Sequence, residues 1–210
     1  MSETFQSQLW RGGFGADYTE RNSLDDAKLA ALTAHWAKII KCTEGAPPSS
    51  ILEVGANIGL NLRALRRLSG ARLHALEPQA GARERMALDE VCDRADIHDG
   101  LAQAIPLGDG AVEMAFTSGV LIHIHPDQLG PALKEIHRVS SRYIACIEYF
   151  NDKPATIPYR GQTDALFKQD FGGLWLDSFP DLRLLDYGFA WKRTTGLDNL
   201  TWWMFEKRER

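Results

Sequence analysis

Residues 51–59, ILEVGANIG, set a carboxylate and two glycines around the point where a short apolar run ends. Gly55 and Gly59 permit a tight turn and a close backbone approach to a ligand, where a helix N-terminus offers unpaired N–H groups. A dinucleotide site wants G-x-G-x-x-G, whose extra glycine lets backbone amides wrap a pyrophosphate. Here that position is Asn57, after Ala56, so the pattern E-x-G-x-x-x-G from Glu53 suits a ligand without pyrophosphate, a nucleoside with an amino-acid tail. A second apolar run ends in Glu77-Pro78, where a carboxylate can accept both ribose hydroxyls. Asp99-Gly100-Leu101 offers an acid for an adenine amine and an apolar neighbour for its face. A fourth run leads through Ser118-Gly119 to His123, and a fifth ends in Glu148-Tyr149. A charge that terminates a buried strand is costly unless used or paired, which makes Glu148 a candidate for chemistry, with His123 at the neighbouring strand end.

Bringing these groups together requires strands that end side by side. Ser23 followed by Asp26 is a capping-box-like start, and Leu29, Leu32, Trp36 and Ile40 follow at helical spacing, so a helix is predicted over 24–41. Gly45, Pro47 and Pro48 end it. Strands are then predicted at 51–55, 72–77, 95–98, 112–116 and 143–150, with helices at 58–68, at 80–91 and from Pro126 onward. Such alternation means a parallel sheet flanked by helices. The segments 182–191 and 200–207 read as a closing antiparallel hairpin, with Trp202 and Trp203 on opposite faces. Residues 1–22 are rich in aromatics and glycine without a helical period and read as an ordered arm, in which Arg21 suits the carboxylate of an amino-acid tail. The polar stretch from Asn151 carries Tyr159, Arg160, Lys168 and Asp170, a mixture suited to an anionic or hydroxylated small molecule.

Composition narrows the function classes. Lys plus Arg is 24 against 28 Asp plus Glu, a net charge of −4, so no overall field attracts nucleic acid or an anionic membrane. With 44% hydrophobic and 25% charged residues the chain has ordinary globular usage. Its 3 cysteines have no C-x-x-C pair and cannot close a disulfide framework, which suits a reducing cytoplasm. The N-terminus has no apolar run of signal-peptide type, no segment approaches a spanning helix, and no cluster has metal-ligand spacing.

Over residues 50–150 the constellation of Glu53, Gly55, Gly59, Glu77, Asp99 and the segment from Thr117 to His123 resembles the class I S-adenosylmethionine-dependent methyltransferases. The resemblance implies a Rossmann-like α/β fold whose seven-stranded sheet runs 3-2-1-4-5-7-6 with strand 7 antiparallel. It implies S-adenosylmethionine as cofactor, bound by Tyr18, Arg21, Glu53, Gly55, Ala56, Asn57, Gly59, Glu77, Pro78, Asp99, Gly100, Leu101, Ser118 and Gly119. LWRGGFGADYTERN, SGVLIHIHPD, and YRGQTDALFKQDFGG followed by PDLRLLDYGF are similar to the methyltransferases encoded with pseudaminic (nonulosonic) acid biosynthesis. That likeness implies methyl transfer to oxygen or nitrogen of a small metabolite, a sugar or nonulosonate-related compound. His123 and Glu148 are then expected to flank the transferring methyl group as catalytic residues, with Asn22, Tyr149, Tyr159, Arg160 and Lys168 on the acceptor. One domain is expected, with 1–45 as arm, helix and lid, 50–150 as cofactor core, 151–181 as acceptor-side insertion and 182–207 as hairpin; the oligomeric state is left open. Two other readings remain at this point. Tyr149 and Lys153 match the Y-x-x-x-K spacing of a nicotinamide-dependent oxidoreductase, and a noncatalytic scaffold would keep the cofactor pocket without turnover.

Overall fold

The computed structural model describes residues 8, 10–21, 24–158 and 166–208, with Arg21 described through its backbone alone. Asp25 caps helix α2 (Asp26–Ile40), its side chain accepting the backbone N–H of Lys28 at 2.7 Å. Leu29, Trp36 and Ile39 line the buried face of α2, as the helical spacing requires. The cap is Asp25; Ser23, which the sequence pattern favours, lies outside the described residues.

Strands β1 (Ser50–Val54), β2 (Arg72–Leu76), β3 (Ile97–His98), β4 (Val112–Ser118) and β5 (Ser140–Glu148) alternate with helices α3 (Leu60–Arg66), α4 (Ala80–Leu88) and α5 (Pro126–Val139). Strands β1 to β5 pair in parallel, with Ile51 opposite both Leu73 and Met114. They read as near-continuous apolar runs because helices cover both faces. After β5 come the two-residue strands β6 (Ala155–Thr156) and β7 (Phe167–Lys168), which form a separate ribbon, then α6 (Phe171–Ser178), β8 (Leu182–Ala190), α7 (Lys192–Thr195) and β9 (Leu200–Lys207). The main sheet has the order β3-β2-β1-β4-β5-β9-β8, and β9 is antiparallel to both neighbours. With the ribbon set aside, β8 and β9 are its sixth and seventh strands, in the expected order.

On one face α5 and α6 bury Leu129, Leu133, Ile136, Phe171 and Trp175 against Trp203 and Phe205. On the other, α2, α3 and α4 bury Trp36, Ile39, Leu62, Leu65 and Met86 against Phe116, Trp202 and Met204. Trp202 and Trp203 therefore serve opposite faces, as strand alternation demands.

The arm departs from expectation. Residues 13–21 form helix α1 (Gly13–Arg21), and Trp10 and Arg11 are already helical. Trp10, Phe14 and Tyr18 are spaced by four residues on one face, with the Trp10 ring centroid 5.3 Å from Phe14 and 5.5 Å from Tyr18. Gly12, Gly13 and Gly15 hid that period. At Gly15 the absence of a side chain is required, since a Cβ would lie 2.0 Å from the carbonyl oxygen of Trp10. The stretch read as a polar insertion contains α6, whose cap, Asp170, accepts the Gly173 N–H at 2.9 Å. No helix among the described residues is long and apolar enough to cross a membrane.

Core and surface should respond differently to truncation. Phe116, fully buried with its ring 4.5 Å from that of Trp36, should cost about 3–5 kcal/mol as Phe116→Ala in urea unfolding. Tyr187, 65% exposed on β8, should change stability by about 0.5 kcal/mol or less as Tyr187→Ser.

Candidate active site

A cavity of about 190 Å³ opens where β1, β2 and β4 end. The chain leaves β1 through Gly55 at φ 77° and Asn57 at φ 49°. A Cβ at Gly55 would lie 2.6 Å from Cγ2 of Val120, so the two strand ends approach too closely for a side chain there. This turn points the Asn57 N–H at Glu77, whose Oε2 accepts it at 2.7 Å while Oε1 accepts the Gln79 N–H at 2.8 Å. Burial pushes the Glu77 carboxyl above its usual range, and the two backbone donors pull it back. Glu53, 2% exposed, accepts from Asn61 Nδ2 at 2.7 Å, and burial lifts it to about 8.

Of the expected site residues, Tyr18, Glu53, Gly55, Ala56, Asn57, Glu77, Pro78, Gly100, Leu101, Ser118, Gly119 and His123 line the cavity. The backbone of Arg21 ends α1. Asn22, Tyr159 and Arg160 lie outside the described residues.

Five others are placed differently. Gly59 caps α3 at φ 72° and faces Val91 and Met86, so it serves packing and forms no part of the wall. Asp99, about half exposed, turns outward to Arg11 at 2.8 Å and Arg83 at 3.2 Å; near these two guanidinium groups its carboxylate ties the arm and α4 to the end of β3 rather than facing the cavity. Glu148 is fully buried beneath the turn that follows β4. Parallel pairing, with the Gly119 N–H on the Ile147 carbonyl at 2.9 Å, sets the Glu148 side chain against the next backbone donors. Its Oε1 accepts from Val120 at 3.1 Å and Leu121 at 3.0 Å, and its Oε2 from Ile122 at 3.5 Å. The carboxyl expected to face an acceptor is therefore engaged in holding the turn that carries His123. Tyr149 and Lys168 meet each other outside the wall, the ammonium 4.7 Å from the ring centroid.

The sequence reading missed several wall residues: Trp10, Asn61, Gln79 and Gln103. Gln79 Nε2 donates to the carbonyls of Arg11 at 3.2 Å and Gly12 at 3.1 Å, and Asn57 Nδ2 to Thr19 Oγ1 at 3.2 Å, which seats α1 over the opening. The Trp10 ring lies 5.0 Å from His123. The four-residue spacing of Trp10, Phe14 and Tyr18 was the available signal. Tyr149 follows the end of β5 and Lys153 lies in a bend, so the pair does not share the helix face that the oxidoreductase reading needs.

Residues 52–142 match the protein family described as the methyltransferase domain. No curated protein sequence matches at a significant level. Among solved structures, one similar fold is the Burkholderia thailandensis 1,6-didemethyltoxoflavin-N1-methyltransferase, solved with 1,6-didemethyltoxoflavin and S-adenosylhomocysteine. It has a TM-score of 0.73 at 17% identity, over 100% of this chain and 92% of that one. A SAM-dependent methyltransferase of Leishmania major aligns with a TM-score of 0.72 at 14% identity, over 97% and 87% of the two chains. Another from Aquifex aeolicus gives 0.60 at 16% identity, over 87% and 94%.

The wall fits S-adenosylmethionine. Oε2 of Glu53 is buried without a hydrogen-bond partner among the described residues, an acceptor suited to an ammonium group. Glu77 stands at the end of β2 for ribose hydroxyls, and Leu76, Leu101 and Ala102 supply an apolar wall for a base. Glu77→Ala should weaken S-adenosylhomocysteine by about 1.5–3 kcal/mol in calorimetry with the fold retained. Glu148 gives a pH signature. Burial raises it to about 7, so its contribution to stability is complete below about 4.5 and lost as pH rises through about 7. The stability of the native protein relative to Glu148→Gln should therefore fall between about pH 5 and 7 in thermal melts. The domain match over residues 52–142, the sheet order and the cavity at the strand ends together support an S-adenosylmethionine-dependent methyltransferase on a class I methyltransferase fold.

Proposed function

We propose that this methyltransferase acts on an oxygen or nitrogen atom of a small metabolite, with a sugar or nonulosonic-acid-related compound as the first candidate. The observation that carries the reading is the meeting of Trp10, Tyr18 and His123 at the cavity, just beyond β4. An aromatic wall suits the apolar face of a sugar ring or a planar heterocycle, and an imidazole suits an acceptor that must lose a proton. S-adenosylmethionine supplies an electrophilic methyl group on a sulfonium. The residues of this chain have the remaining tasks: to hold the acceptor atom at near-attack distance, exclude water, and take up a proton where the acceptor is a hydroxyl.

In this reading His123 receives that proton, and Glu148 acts through the backbone of residues 120–122 as a positioning residue. A neutral amine attacks before it loses its proton, which leaves His123 only an orienting part. The Burkholderia protein, whose name states N1-methylation of 1,6-didemethyltoxoflavin, makes a nitrogen heterocycle the second acceptor class to test. Residues 1–45 serve as arm and lid, and Arg21 binds the carboxylate of the amino-acid tail. Asn22 gives acceptor specificity from the arm and Tyr159 and Arg160 from the segment 151–181, whereas the Lys168–Tyr149 pair stands outside the cavity wall. Neither nucleic acid nor a membrane is assigned as partner, given the net charge of −4, and the cytoplasm is the compartment that suits three free cysteines.

A screen of sugars, nonulosonates and nitrogen heterocycles with S-adenosylmethionine, read by mass, should yield one methylated acceptor class. Cofactor binding without turnover across all of them would favour the noncatalytic scaffold. With a hydroxyl acceptor, His123→Ala should lower kcat by about 10²–10⁴ while S-adenosylhomocysteine affinity stays within about twofold. Arg160→Ala should raise KM for the acceptor more than it lowers kcat.

A further inference from the structure

Glu53 does not stand alone beneath the cavity. Its Oε1 accepts from Asn61 Nδ2 at 2.7 Å, and Asn61 Oδ1 accepts from Trp36 Nε1 at 3.0 Å. Three elements meet in this chain of donors: α2 through Trp36, α3 through Asn61 and β1 through Glu53. Trp36 is fully buried, and its ring meets Phe116 of β4 edge-on at 4.5 Å, so packing fixes where the indole N–H points.

Chemistry then fixes the rest. An indole N–H can only donate, so the amide oxygen of Asn61 must face Trp36 and its NH₂ must face the carboxyl. One oxygen of Glu53 is held in this way. The other, Oε2, is buried with no partner among the described residues, while Glu53 and Asn61 both line the cavity. A buried acceptor left unsatisfied is costly, and the cost is recovered when a donor arrives. Glu77 is a second acid on the same wall and raises Glu53 further, so a positively charged donor is the group that relieves both.

We propose that Trp36 and Asn61 are positioning residues of the cofactor site, holding Glu53 at the cavity wall with one oxygen left without a partner among the described residues, to receive the ammonium group at the amino-acid end of the cofactor. The proposal rests on the methyltransferase reading and deepens it, since it puts two side chains with no expected contact to the cofactor's nucleoside in control of its tail. It also links the α2–β4 packing contact to cofactor selection.

Two probes separate this role from a structural one. S-adenosylhomocysteine has the ammonium group; 5′-deoxy-5′-methylthioadenosine keeps the nucleoside and the sulfur and lacks the amino-acid tail. In calorimetry, Asn61→Leu should weaken S-adenosylhomocysteine about tenfold or more, the range for a hydrogen bond to a charged group, and methylthioadenosine by less than about twofold. Trp36→Phe keeps the aromatic contact with Phe116 and removes the N–H; it should shift the same ratio in the same direction, and it serves if Asn61→Leu fails to fold. In a Glu53→Gln background, Asn61→Leu should add little, because the two changes act on one contact. Equal weakening of both probes, or no weakening of either, overturns the proposal and leaves the methyltransferase reading standing. A native protein that binds neither probe overturns both.

Discussion

Three carboxyl groups buried at the carboxyl edge of one sheet govern this site. A carboxylate taken out of water costs several kcal/mol unless local donors replace its hydration, and the loops after β1, β2 and β4 supply donors to Glu77 and Glu148. Glu77 takes the N–H groups of Asn57 and Gln79, so the ligand loop after β1 is fastened to the end of β2. Glu148 takes those of residues 120–122 and fastens the turn that carries His123 to the end of β5. Glu53 instead takes the side-chain amide of Asn61 on one oxygen, and its other oxygen is buried without a hydrogen-bond partner among the described residues. The satisfied carboxyls build the walls, and the half-satisfied one lines the cavity between them.

The arm completes the enclosure by polar contacts that reach across the chain. Gln79, Asn57 and Asp99, all on loops after β1, β2 or β3, hold the arm through the Arg11 and Gly12 carbonyls, Thr19 of α1 and the Arg11 side chain. The residues that shape the cofactor loop thus also seat the helix above it. Trp10 extends from that arm to the ring of His123, so the arm and the turn after β4 meet in one packing contact at the cavity. Water excluded from such a site strengthens every charge interaction within it.

The central alternation of strands and helices was legible in the sequence because parallel strands buried on both faces must be apolar and the turns between them need glycine, proline or a cap. Boundaries moved by a few residues, as helix and strand ends do. The arm was misjudged for a physical reason: Gly12, Gly13 and Gly15 lower helix propensity, yet tertiary packing of Trp10, Phe14 and Tyr18 overrides that cost. The mixed, largely polar composition after Asn151 likewise concealed α6, which Phe171 and Trp175 hold against the sheet.

The sequence by itself determined the order of elements, the turn that only Gly55 allows, and the presence of acids at successive strand ends, since each follows from local backbone and burial rules. Tertiary structure decided what each acid does. Asp99 and Glu148 have the same standing in sequence as Glu53 and Glu77, each an acid that ends or nears the end of a strand. In space Asp99 meets Arg11 and Arg83, and Glu148 meets three backbone N–H groups, while Glu53 and Glu77 remain on the cavity wall. The difference lies in donors contributed by segments remote in sequence, Arg11 to Asp99 and the backbone of residues 120–122 to Glu148, and hydrogen bonds of that range have no periodicity for a sequence to display.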